Sequence, residues 1–137
     1  MKSFKIIKID HIAIATKESK QMNNFFSKIF TDTDFKKEIV ESENVVTAFF
    51  SVGDVNIETL EPTSEDSIIN KYLNKNGPGI HHVAFLVDNI NAAILYFKNN
   101  NIRVIYDPPK IGASNKLITF LHPKDTFGIL MELSQNQ

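Results

Sequence analysis

No cysteine occurs in the 137 residues. That removes a disulfide framework, a thiolate metal site and a cysteine nucleophile together. Arginine is almost as scarce, with Arg103 the only one. Arginine is the usual two-pronged clamp for carboxylates, so ligands that need several such clamps are disfavoured. Lysines are spread along the chain and balanced by acids to a formal net charge of −1. No basic stripe for nucleic acid results. Apolar runs stop after a few residues, which leaves no fit for a transmembrane helix. The opening M-K-S-F-K-I-I-K-I-D carries no secretory h-region or cleavage site, so the cytoplasm is the expected location. What is there, 42% hydrophobic and 23% charged residues, suits a single domain over 1–137 with a real core.

The order of elements repeats. Residues 5–15 read as a branched, apolar strand. Between Glu18 and Phe30, the residues Met22, Phe25, Phe26, Ile29 and Phe30 fall on one face of a helix. Strands follow at about 35–41, 45–52 and 56–61, the last two joined by a Gly53-Asp54 turn. A connector over about 63–79 holds a short helix capped by Ser67, with Ile68, Ile69, Tyr72 and Leu73 inward, and it ends at Gly77-Pro78-Gly79. Then come a strand over 80–87, a helix over 91–100 with Ile90, Ile94 and Phe97 on one stripe, and strands at 102–107, 116–121 and 127–133. The expected fold is therefore α+β, with two βαβββ modules in tandem, at about 5–62 and 80–134, forming a curved mixed sheet around a cavity.

Within the repeat lies a second one. D-H-I-A-I-A at 10–15 matches H-H-V-A-F at 81–85, and each half ends on a strand with a central glutamate. His11 precedes Glu58 by 47 residues, and His82 precedes Glu132 by 50. Side chains alternate along a strand, so His11 shares a face with Ala13 and Ala15, and His82 with Ala84. Ile12, Ile14, Val83 and Phe85 take the opposite, core-packing face, and His81 belongs with them. Two such halves facing each other would gather two imidazoles and two carboxylates around one cavity. Without sulfur, that donor set suits a divalent first-row metal such as Co, Ni, Mn, Fe or Zn, acting as a Lewis acid. His122, where a strand meets a turn, is expected at the rim of such a site.

At these residues the chain resembles the vicinal oxygen chelate (glyoxalase-like) superfamily and, within it, the methylmalonyl-CoA epimerase family. The segments that carry the likeness are D-H-I-A-I-A, N-I-E-T-L-E-P, G-I-H-H-V-A-F, K-I-G-A-S-N-K, F-L-H-P-K and G-I-L-M-E-L, spanning about Ile9 to Ser134. The resemblance implies metal ligands at His11, Glu58, His82 and Glu132, with Co2+ as the first candidate and Ni2+, Mn2+, Zn2+ or Fe2+ as alternatives. It also implies interconversion of (R)- and (S)-methylmalonyl-CoA by α-proton transfer, with Glu132 as one acid/base, and a homodimer. Some relatives carry glutamine at the position of Glu58. Others carry a second catalytic glutamate where this chain has Thr47, whose hydroxyl is a poor base. Glu43, Glu58 or a metal-bound water are then the candidates for the second role.

The CoA side of the thioester is expected at Lys116, Lys124, the turn around Gly112 and His122. Gly112 permits close backbone approach, and the ammonium groups suit phosphate or carboxylate. Rival readings inside the superfamily are a glyoxalase I-type lactoylglutathione lyase, an extradiol dioxygenase and a metal-free binding module. The single arginine disfavours the first, the acid at the fourth ligand position disfavours the second, and the complete ligand set disfavours the third.

Overall fold

A computed structural model of the chain describes residues 2–30 and 35–137. Among the described residues, eight strands and three α-helices follow in order: β1 (Ile6–Ala15), α1 (Ser19–Phe30), β2 (Lys36–Val40), β3 (Val45–Val52), β4 (Val55–Pro62), α2 (Ile68–Asn76), β5 (Gly79–Val87), α3 (Ile90–Asn99), β6 (Lys110–Ile111), β7 (Leu117–Leu121) and β8 (Met131–Gln135). The βαβββ order is thus present twice, as the sequence pattern predicts. The chain divides into two compact units. One holds the described residues of His11–His81, and the other joins the described residues up to Asp10 with His82–Gln137.

In the first unit the strands run β2-β3-β4-β1. β3 and β4 form an antiparallel hairpin closed by Gly53-Asp54, where Gly53 takes φ +60°, a left-handed conformation that costs glycine little. β4 then lies parallel to β1. Helix α1 packs on β3 and β4, with Phe26 edge-on to Phe50 at 5.7 Å. Its apolar stripe is only partly covered, with Met22, Phe26 and Phe30 half-buried. Phe25 and Ile29 are exposed, and the only helix residue fully buried is Asn23. The Asn23 side-chain oxygen accepts a 2.6 Å hydrogen bond from the Thr59 hydroxyl. Helix α2 begins at Ser67, whose hydroxyl accepts from the Ile69 amide, and packs Ile69 and Leu73 inward on β4. Ile68, expected inward, is exposed, because the first turn after the cap places it on the outer side.

The second unit repeats the plan as β5-β8-β7-β6, with β5 parallel to β8 and the other neighbours antiparallel. Its core joins Val87, Ile90, Ala93, Ile94, Leu121 and Leu133 to Phe4 from the N-terminal segment. Each large side chain so buried contributes about 1.5–3 kcal/mol. Asp88 fixes the incoming segment, accepting the Lys5 amide on its side chain at 2.7 Å and donating its own amide to the Lys5 carbonyl.

Two strand expectations fail here. Residues 102–107 contribute only an isolated bridge, Val104 to Leu121. Beyond it the Thr119 hydroxyl takes the place of a partner backbone, accepting from the Tyr106 amide and donating to the Tyr106 carbonyl. Pro108 and Pro109 then supply no amide to continue a ladder. The last strand begins at Met131 rather than 127, since Phe127 (φ +59°) and Gly128 (φ +85°) are both left-handed.

Candidate metal centre

Each unit brings its histidine and its glutamate together by the same register. In the first, Ala13 stands level with Glu58 across the parallel β1–β4 pair. In the second, Ala84 stands level with Glu132 across the parallel β5–β8 pair. The glutamate therefore shares a face with the histidine two residues earlier on the neighbouring strand. A methyl group beside each carboxylate leaves it room to reach that imidazole. The contacts are His11 Nδ1 to Glu58 Oε2 at 3.1 Å, and His82 Nε2 to Glu132 Oε2 at 2.8 Å. All four side chains are buried. Burying imidazole and carboxylate is costly unless they are paired or ligate a cation, and here both units spend that cost in the same place.

The antiparallel neighbours match as well. Phe49 lies opposite Glu58 on β3, and Phe120 opposite Glu132 on β7. The Phe120 ring stands edge to face with the His82 imidazole, 5.4 Å between centroids at 89°, which restricts the imidazole to few orientations. These phenylalanines were not singled out by the sequence pattern, although counting back from the Gly53-Asp54 turn places Phe49 opposite Glu58. Thr47, two residues before Phe49, is buried on the same face as Glu58. Glu43 sits in a 3-10 turn ahead of β3. His81 is turned to the other side, where Tyr72 meets it edge-on at 4.9 Å.

The remaining expected site residues lie along 110–124. Lys116 directs its ammonium to Asp10, Nζ to Oδ1 2.6 Å. Gly112 is pressed onto β7, where a β-carbon would stand 2.7 Å from Ile118 Cδ1. His122 caps the 3-10 turn Pro123–Asp125, its Nδ1 accepting the Lys124 amide at 3.2 Å. The Lys124 side chain is exposed. Arg103 is committed to Asp125, donating from its side chain at 2.9 and 3.0 Å and from its backbone amide at 2.9 Å. The Arg103 side-chain bond, followed by its amide, holds the Asp125 carboxyl well below the usual carboxylate range, and His122 adds a smaller pull in the same direction.

Comparison with known proteins agrees with this geometry. The family model for the Glyoxalase/Bleomycin resistance protein/Dioxygenase superfamily matches residues 10–120. Mouse "Methylmalonyl-CoA epimerase, mitochondrial" is 35% identical over 133 residues, covering 96% of this chain and 75% of the relative. The crystal structure of methylmalonyl-CoA epimerase from Mycobacterium tuberculosis superposes with a TM-score of 0.91 at 28% identity, over 96% of this chain and 89% of that one. A variant of the Streptomyces coelicolor methylmalonyl-CoA epimerase, in complex with 2-nitronate-propionyl-CoA, gives 0.89 at 36% identity, over 96% and 99%. A glyoxalase-like fold, the duplicated His–Glu pair and these relatives together place the chain in the glyoxalase/bleomycin resistance protein/dioxygenase superfamily, beside its methylmalonyl-CoA epimerases.

Proposed function

We propose that this chain interconverts the (R) and (S) forms of methylmalonyl-CoA, using one divalent ion held by His11, Glu58, His82 and Glu132. The observation that carries the reading is the buried His–Glu pair made twice by the same strand register. Relatives named as methylmalonyl-CoA epimerases support the substrate. Two imidazole nitrogens and two carboxylates suit a divalent first-row ion, and the resemblance to the epimerases favours Co2+, with Ni2+, Mn2+, Zn2+ or Fe2+ as alternatives. When bound, the ion supplies Lewis-acid charge beside the thioester oxygen and the free carboxylate of the substrate.

The protein's own groups do the rest. His11, Glu58 and His82 hold their donor atoms in fixed, dry positions, and Phe120 keeps the His82 ring from turning. Glu132 takes the α-proton on one face with one carboxylate oxygen, the other oxygen staying available for ligation, and Glu43 or Glu58 returns a proton on the opposite face. A glutathione adduct is disfavoured, because the only arginine already has both arms on Asp125. The nucleotide side of the thioester lies along 110–124, with Gly112, Lys116, His122 and Lys124. A homodimer is the proposed assembly. The cytoplasm is the proposed compartment, and a cysteine-free chain suits its reducing conditions.

The test is deuterium wash-in at the α-carbon of methylmalonyl-CoA in D2O, with and without a chelator. Exchange that stops on chelation and returns with added ion is the expected result. Chelator-insensitive exchange, no exchange, or turnover of a glutathione hemithioacetal instead would overturn it.

A further inference from the structure

We propose that Lys116 serves the nucleotide side of the site through Asp10. Its ammonium locks the 111–116 turn in place, as a positioning residue, and does not itself touch the substrate's phosphates. The inference rests on the epimerase reading for its kinetic arm only.

Three observations lead there. First, the Lys116–Asp10 pair closes at 2.6 Å between residues 106 apart in the chain. The Asp10 side chain is 7% exposed and that of Lys116 21%. Swinging the ammonium out to a phosphate would take a charge-assisted hydrogen bond from a buried carboxylate, a costly way to break such a pair. Held where it is, the ammonium is already neutralised and makes a poor anion receptor.

Second, the turn needs holding. Ser114 and Asn115 both take φ +57°, a left-handed conformation that non-glycine residues keep only when their surroundings over-determine it. Third, the anchors converge on it. The Gly112 amide donates to the Lys116 carbonyl at 2.9 Å, and the Lys116 amide to the Ala113 carbonyl at 3.3 Å. The Gln137 side chain donates to the Asn115 carbonyl at 2.7 Å, and Gly112 lies flush on Ile118. The Lys116 backbone thus closes the turn while its side chain bolts it to β1. Neutralising either end of the bolt should loosen the same turn.

The experiment compares wild type, Asp10→Asn, Lys116→Met and the double variant, each metal-loaded. It reads amide hydrogen exchange at residues 112 and 116 beside the kinetics of methylmalonyl-CoA epimerisation. A tether predicts that each single change speeds exchange at both amides roughly tenfold or more. It also predicts that each raises KM by a similar factor, that kcat holds in Lys116→Met, and that the double variant is no worse than the more affected single. Lys116 acting directly on phosphate predicts the opposite split, with KM raised by Lys116→Met and left alone or lowered by Asp10→Asn. That split, or unchanged exchange at 112 and 116, overturns the inference. Should Asp10→Asn fail to fold, Lys116→Met decides by its exchange. A wild type that fails to epimerise sinks the epimerase reading, and the exchange arm still decides the tether.

Discussion

Helix α1 turns its only fully buried residue, Asn23, onto the Thr59 hydroxyl at 2.6 Å, one residue after Glu58 and on the opposite side of β4. Replacing Thr59 by valine keeps the shape and removes the donor, so the Asn23 oxygen is left facing a methyl group. An unsatisfied buried acceptor costs about 1–3 kcal/mol. At this chain length each kcal/mol moves the melting midpoint by roughly 4 °C, so Thr59→Val should lower Tm by about 4–12 °C. The companion variant Asn23→Leu/Thr59→Val removes both partners. It should recover most of the loss, since two apolar groups of similar shape are nearly neutral in place of a hydrogen-bonded pair. Thermal unfolding followed by circular dichroism measures both. A Tm for Thr59→Val within about 1 °C of wild type, or a double variant less stable than the single, would refute the role given to this bond.

Other outcomes follow from the same structure. Gly112→Ala should lower Tm, because the added methyl meets Ile118 carbons at 2.7, 3.1 and 3.2 Å, and forcing it in costs about 1–3 kcal/mol. Glu132→Gln should cut α-proton exchange by about 100-fold or more, the usual share of a general acid or base. Glu58→Gln should stay within about tenfold of wild type if Glu58 serves only as a ligand, and a loss of about 100-fold would assign it the second proton transfer. Asp125 predicts a pH dependence. Its folded pKa lies below that of the unfolded chain, so the stability it adds is complete above about pH 4 and is lost as pH falls further. Asp125→Asn should therefore flatten the acid limb of Tm against pH, and an unchanged limb would count against the Arg103–Asp125 contact.

The site was more legible than its frame. Strand parity and the repeated small residues placed His11 with Glu58 and His82 with Glu132 on their shared faces, because a period of two survives any error in strand ends. Capping was equally plain at Ser67, where one hydroxyl and one amide decide the geometry. What stayed hidden depended on contacts distant along the chain. The strand expected at 102–107 failed because a side chain, Thr119, takes over from the ladder. The α1 stripe packs through Met22, Phe26 and Phe30, which are half-buried, yet the polar Asn23 is the residue driven fully inward, and nothing local distinguishes it from an exposed asparagine. Asp10 carries no legible role within its motif, since its partner comes 106 residues later. Phe4 gave no sign that it would fill the core of the second unit.

The proposed function requires the two His–Glu pairs to act as one set of ligands. Metal content at saturation, measured on the wild type, His11→Ala and His82→Ala, tests it most directly. The account predicts one divalent ion per wild-type chain and loss of that ion in both variants. Two ions per chain, or a full complement retained after either substitution, would contradict it.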